Sequence, residues 1–190
     1  MSSTSKKTME TTTRTGSRRG RNCMIFAVIA LMWLGFDIAS KHYFTQAFAE
    51  NSVTSESVLG LFQFTLVHNT GAAWGIFGDS TEALAITSLV VSALLLCYFL
   101  VISARANSVE VIGLSLIIAG GIGNAIDRFS LGYVVDFIEF SFIDFPVFNI
   151  ADIGVTCGFV ILLIGIVLSW RIEDKARKQD TDSVGEGAEQ

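Results

Sequence analysis

Three stretches of this chain, residues 83–104, 111–126 and 153–170, contain no Asp, Glu, Lys or Arg. A fourth apolar run begins at Cys23, passes Trp33 and Phe36, meets Asp37 and Lys41, and ends near Phe44. A helix of about 20 apolar residues crosses the hydrocarbon core of a bilayer with all its backbone groups bonded internally. The sequence therefore predicts four transmembrane helices, at about 23–44, 83–104, 110–127 and 152–170. Composition agrees: 51% of residues are hydrophobic and 16% charged, with one proline, which excludes a disordered chain and disfavours a soluble domain. The formal charge of −5, with no basic run interleaved with aromatics, leaves no place for a nucleic-acid partner.

The alternative for the first run is a cleaved secretory signal, because Arg18, Arg19 and Arg21 precede it and Ala47-Phe48-Ala49 resembles a cleavage site. The long polar region between Phe36 and Ala49, carrying both Asp37 and Lys41, argues against it. Residues 1–22 are Ser/Thr-rich and read as a disordered cytoplasmic leader, and 171–190 as a charged cytoplasmic tail. Lys and Arg fall before the first span, at Arg105 between the second and third, and after the fourth, whereas residues 45–80 have none. By the positive-inside rule both termini are expected in the cytoplasm, with loops 45–80 and 128–151 outside.

Within those loops, Leu61–Val67 and Tyr133–Phe140 are rich in β-branched and aromatic residues with partial alternation, so a small antiparallel sheet is expected at the outer surface. Gly154, Gly158 and Gly165 on the fourth span, and Gly113 and Gly120 on the third, point to close helix approach. Cys23, Cys97 and Cys157 are far apart in apolar stretches and read as buried small hydrophobes.

In so apolar a chain the informative positions are ionisable groups at the membrane boundary, because an unpaired charge there costs several kcal/mol. They are Asp37, Lys41, Asp127, Arg128, Asp136 and Asp152, with the amides Asn69, Asn124 and Asn149 beside them. Asp37 and Lys41, four apart on one helix face, read either as a self-neutralising pair or as a substrate contact. The adjacent Asp127 and Arg128 read as an interfacial ion pair. Asp136 has no basic neighbour in sequence, and Asp152 stands at the mouth of the fourth helix; topology brings both to the outer face.

Two carboxylates in one low-dielectric site cannot both ionise, so they supply a general base and a general acid together. Such a pair activates water for peptide hydrolysis without a metal or a covalent intermediate. The blander readings are a solvent-facing strand residue for Asp136 and a first-turn acid behind an Asn149 cap for Asp152. That helix position would make Asp152 the more readily ionised member. No H-E-x-x-H, phosphate-binding loop, G-x-S-G or G-x-G-D occurs.

Four blocks together closely resemble the lipoprotein signal peptidase family, or type II signal peptidases. They are Asp37-Ile38-Ala39-Ser40-Lys41; Asn69-Thr70-Gly71-Ala72-Ala73-Trp74-Gly75; Gly120–Arg128 with Val134-Val135-Asp136-Phe137; and Phe148-Asn149-Ile150-Ala151-Asp152. The resemblance covers roughly residues 23–170, with Trp74 where the family more often has Phe. It implies an all-α membrane protein, a four-transmembrane-helix bundle with a small antiparallel sheet from the extracytoplasmic loops, in the bacterial cytoplasmic membrane.

It implies Asp136 and Asp152 as the catalytic pair of an intramembrane aspartic peptidase. Asp37, Lys41, Asn69, Gly71, Asn124, Asp127, Arg128 and Asn149 would shape the site or bind substrate. The implied substrate is a diacylglyceryl-modified prolipoprotein cut before its lipidated cysteine, with membrane lipid as the other partner, no metal or cofactor, and inhibition by globomycin. Oligomeric state is left open, a monomer included. Two other classes compete: a small four-helix transporter or proton relay using the same aspartates, and a metal-dependent lipid phosphotransferase, which would need more carboxylates at helical spacing.

Overall fold

The computed structural model describes residues 3–50, 52, 57–71 and 80–188 and, within these, the side chains of 16–175 and 177–179. Its elements are α1 (Ser3–Ala47), β1 (Phe62–Asn69), α2 (Thr81–Ile102), α3 (Ser108–Leu131), β2 (Val134–Phe140) and α4 (Ile150–Ala188). All four helices contain a segment long and apolar enough to cross a membrane: Gly16–Ala47, Thr81–Ile102, Ser108–Leu131 and Ile150–Gln179. The expected four-helix bundle with a two-stranded antiparallel sheet is what the chain forms.

Helix ends depart from the expected span ends because backbone hydrogen bonding continues until a cap stops it, not until a charge appears. α3 runs through Asp127 and Arg128 to Leu131 and stops at Gly132, whose φ of +81° only glycine adopts easily. At its other end Asn107 and Glu110 form a reciprocal capping box, each side chain accepting the other's backbone N–H at 2.9 Å. α1 begins at Ser3, where the sequence predicts a disordered leader, and α4 continues to Ala188 through the charged tail. No proline interrupts either extension.

α3 is the central helix and packs against the other three. Its contact with α4 is a backbone-to-backbone approach through the glycines singled out above. A Cβ on Gly113 would lie 2.6 Å from the Leu162 nitrogen, one on Gly158 2.8 Å from the Gly113 carbonyl, and one on Gly165 2.7 Å from the Glu110 nitrogen. Gly120 abuts the Ala151 carbonyl, while Gly154 makes room for the Trp33 indole of α1. Lipid tails are as apolar as leucine, so this close packing, rather than burial from water, holds the helices together.

The same reasoning corrects the expectation for the cysteines: Cys97 and Cys157 are exposed and Cys23 is half-buried. Apolar side chains of a membrane helix face outward as readily as inward, as Leu31, Met32, Leu94 and Phe159 also do.

At the end of the bundle distant from the sheet, Asn22 is fully buried and donates to the carbonyls of Ser103 and Ala106, both at 2.9 Å, clamping α1 to the α2–α3 turn. At the other end, β1 and β2 pair in register from Phe62 opposite Phe140 to Asn69 opposite Val134, with an irregularity between Phe64 and Val67. Leu66, Val135 and Phe137 are buried beneath the sheet, and Phe44 of α1 stacks on Phe137 at 4.1 Å. Phe148 pairs with Ile138 on the far edge of β2, which leads the chain directly into α4.

Candidate active site

Asp136 lies in β2 and is 2% exposed; it is not a solvent-facing strand residue. Its Oδ2 accepts from Asn69 at 2.8 Å across the sheet, and its Oδ1 accepts from Asn149 at 2.6 Å. Burial first, and the nearby Asp152 carboxylate second, push the Asp136 carboxyl up to about 7. Three residues beyond Asn149, Asp152 closes the first turn of α4. The Asn149 nitrogen donates to Asp152 Oδ2 at 3.1 Å, and the Asp152 nitrogen donates to Asn149 Oδ1 at 3.0 Å. Asp152 is thus part of the cap of α4 and also lines the cavity beside Asp136. Its Oδ1 accepts from Asn124 of α3 at 2.7 Å.

Asp136 and Asp152 line one cavity of about 400 Å³. Asn69, Gly71, Asn124 and Arg128 form the rest of its polar wall; Phe140, Phe145, Phe148 and Ile153 belong to its apolar wall. Pro146, Thr156 and Cys157 also reach it. Phe148 opens the fourth motif block, whereas Phe140, Phe145, Pro146, Ile153, Thr156 and Cys157 carry no sequence signal for the site, because each is an ordinary apolar or small residue until the β2–α4 connection folds beside α4.

Asp37 and Lys41 are buried, 0% and 3% exposed, and do not line the cavity. Lys41 Nζ lies 2.9 Å from Asp37 Oδ2, as the i, i+4 spacing predicts, and 3.0 Å from Asp127 Oδ2 of α3. The expected Asp127–Arg128 ion pair does not form. Adjacent residues point about 100° apart around a helix, so Asp127 turns inward to Lys41 while Arg128 turns toward the cavity. There Arg128 Nη2 donates to the Gly71 carbonyl at 3.2 Å and Nη1 to the Asn124 carbonyl at 3.4 Å, leaving a buried Nε without a partner among the described residues.

Backbone contacts complete the scaffold. Asp37 Oδ1 accepts from the Ala151 nitrogen at 2.9 Å, and Asp127 Oδ2 from the Val135 nitrogen at 3.2 Å. Trp33, which in sequence is only one apolar residue of the first span, donates from its indole to the Ile150 carbonyl at 3.1 Å. Asn69 orients Gly71 by accepting its N–H at 3.0 Å. Ala72–Gly75 of that motif, Trp74 among them, lie outside the described residues.

All ten polar motif positions therefore meet at the sheet end of the bundle, drawn from three helices, both strands and the turns beside them. The family model for Signal peptidase (SPase) II matches residues 29–168. The chain belongs to the signal peptidase II family. It is 40% identical over 139 residues to the lipoprotein signal peptidase of Microcystis aeruginosa, covering 73% of this chain and 89% of that one. To the lipoprotein signal peptidase of Enterococcus faecalis it is 32% identical over 159 residues, covering 84% and 95%.

A solved bacterial membrane enzyme, determined by the in meso method at 2.3 Å resolution, shares the fold with a TM-score of 0.68 and 32% identity, over 75% of this chain and 87% of that one. The signal peptidase II family assignment makes this chain a membrane-embedded peptidase of lipoprotein processing. The matched region holds all ten of these motif positions and stops short of both helical extensions.

Proposed function

We propose that this chain is an intramembrane aspartic endopeptidase that removes the signal peptide from diacylglyceryl-modified bacterial prolipoproteins, cleaving before the lipidated cysteine. The observation that carries the reading is a shared cavity lined by Asp136 and Asp152, one of them a strand carboxyl pushed up to about 7. At neutral pH such a pair holds one proton between two carboxyls. The ionised member takes a proton from water, the resulting oxygen attacks the scissile carbonyl carbon, and the protonated member gives its proton to the carbonyl oxygen. Collapse of the tetrahedral species then returns the hydroxyl proton to a carboxylate, the C–N bond breaks, and the amine leaves protonated by the other carboxyl.

Asn69, Gly71 and Arg128 line the cavity with donors and acceptors suited to an extended peptide backbone, and the Phe140, Phe145 and Phe148 wall suits its apolar side chains. Asp37, Lys41, Asn124, Asp127 and Asn149 hold the pair in place from behind. The Lys and Arg distribution supports cytoplasmic termini in the bacterial inner membrane, with the sheet and the site at the extracytoplasmic face, the side on which a lipidated precursor presents its cleavage site. A proton relay would use acids at several depths. Here Asp37 and Asp127 are both engaged by Lys41 and the remaining pair sits at one end.

The test is cleavage of a purified diacylglyceryl-prolipoprotein by wild type, Asp136→Asn and Asp152→Asn in detergent, with EDTA present throughout. Wild type cleaves before the modified cysteine and globomycin stops it, while both variants elute as folded protein and lose at least about 10³-fold in rate. Near-wild-type cleavage by either variant, or abolition by EDTA, overturns the reading.

A further inference from the structure

Lys41 Nζ lies within ion-pair distance of Asp37 Oδ2 and Asp127 Oδ2, at 2.9 and 3.0 Å, and donates to Asn124 Oδ1 at 3.0 Å. It is 3% exposed and is not among the residues that line the cavity. We infer that Lys41 is a positioning residue whose ammonium fixes the direction of the Asn124 amide and thereby keeps a hydrogen-bond donor on Asp152. This rests on Asp136 and Asp152 being the reacting pair.

A side-chain amide can sit either way round, and its neighbours decide which. Asn124 Oδ1 accepts from Lys41 and from Asn149 Nδ2 at 3.1 Å, which leaves its Nδ2 to donate to Asp152 Oδ1 at 2.7 Å. Turning the amide over would place its hydrogens against the ammonium and its oxygen against the carboxylate. Without Lys41 only Asn149 and the Asp152 carboxylate itself oppose that turn, and the Asn149 amide already has Asp136 Oδ1 at 2.6 Å and the Val135 carbonyl at 3.3 Å as acceptors.

The anchoring of Lys41 points the same way. Each of its two acidic partners also holds a backbone N–H immediately before one of the pair: Asp37 that of Ala151, before Asp152, and Asp127 that of Val135, before Asp136. One cation on α1 is therefore registered against the backbone on both sides of the site and against the amide between them.

The experiment measures kcat and KM for diacylglyceryl-prolipoprotein cleavage by Lys41→Met, Asn124→Ala and the double variant, with Asp136→Asn and Asp152→Asn as controls. Lys41→Met should lower kcat about 10- to 100-fold, the rate equivalent of one charge-assisted hydrogen bond, and leave KM within about twofold. In the Asn124→Ala background the same change should cost less than about threefold, because the amide it orients is gone. Lys41→Met also strands two buried carboxylates. If it does not fold, the same cycle is run with Lys41→Met combined with Asp37→Asn and Asp127→Asn, which removes those charges, and the same kcat loss and the same non-additivity are expected.

Wild-type kcat in the folded variant, or full multiplicative loss on top of Asn124→Ala, overturns the role of Lys41. Active Asp136→Asn or Asp152→Asn controls instead overturn the reading of the pair itself.

Discussion

Replacing Asp136 by Asn should change the stability of the protein in a way that depends on pH, and the dependence can be worked out in advance. Asp136 binds its proton more tightly folded than unfolded, because its carboxyl moves from an ordinary 3.8 up to about 7 on burial. Its contribution to stability is therefore fully present below 3.8 and is lost as pH rises through 7, since the folded state must then hold an unfavourable carboxylate or keep a proton that water would take. The full loss is about 4 kcal/mol, at roughly 1.4 kcal/mol for each pH unit that separates the folded from the unfolded value.

Between about pH 5 and pH 8 wild type should lose about 2–3 kcal/mol of that, by the linkage relation applied to the two values. Asp136→Asn does not titrate, so it loses none of it. The amide must point its NH2 at Asn69 or Asn149, both of which are donors, and this misfit costs about 1–3 kcal/mol. The misfit is the same at every pH and cancels when the variant is compared with wild type at two pH values. For a chain of this size about 2–4 °C accompanies each kcal/mol.

The difference in thermal midpoint, variant minus wild type, should therefore rise by about 5–10 °C from about pH 5 to pH 8, measured in detergent by intrinsic fluorescence at one fixed scan rate. A difference that stays flat within about 1 °C would show that Asp136 is not held protonated, and would remove the acid–base division of labour with it.

Packing and clamping make two further predictions. Gly113→Ala puts a methyl group 2.6 Å from the Leu162 nitrogen and 2.8 Å from the Gly158 carbonyl, so α3 and α4 must part; the expected cost is about 1–3 kcal/mol, read as a lower thermal midpoint. Asn22→Leu leaves the Ser103 and Ala106 carbonyls unpaired, at a cost of about 1–3 kcal/mol, and hydrogen exchange should quicken at residues 103–107 while the sheet is unaffected.

The bundle was legible because lipid imposes a crude rule: a helix that crosses it carries few charges and pairs those it has, so charge-free windows, two of them bounded by Glu82 and Arg105 and by Glu110 and Asp127, mark three of the spans directly. Helix ends were less legible, since Gly132 and Asn107 stop or start α3 by backbone geometry that no charge count reports. The strands showed through as β-branched and aromatic runs, and the identity of the polar site residues showed because each is costly in apolar surroundings.

Their pairing was legible only within α1, where Asp37 and Lys41 are four apart. Asp127 beside Arg128 looks like an ion pair in one dimension, yet helical rotation gives Asp127 to Lys41 of another helix and Arg128 to the cavity. Nor does any sequence pattern announce that Phe140 and Phe145 would wall that cavity, because aromatic residues at a strand end or in a loop read equally well as contacts to lipid.

One amide joins the start of α4 to the site. Asn149 accepts the first-turn N–H of Asp152 with its oxygen and donates to Asp136 with its nitrogen. If that turn frays, Asp152 swings away and Asp136 loses a donor in the same motion, so the two carboxyls are never left half-assembled. A chain emerging into the membrane with α4 not yet wound lacks both the Asn149 donor on Asp136 and the placement of Asp152 at the cavity wall; the cavity is complete only once that first turn of helix has formed.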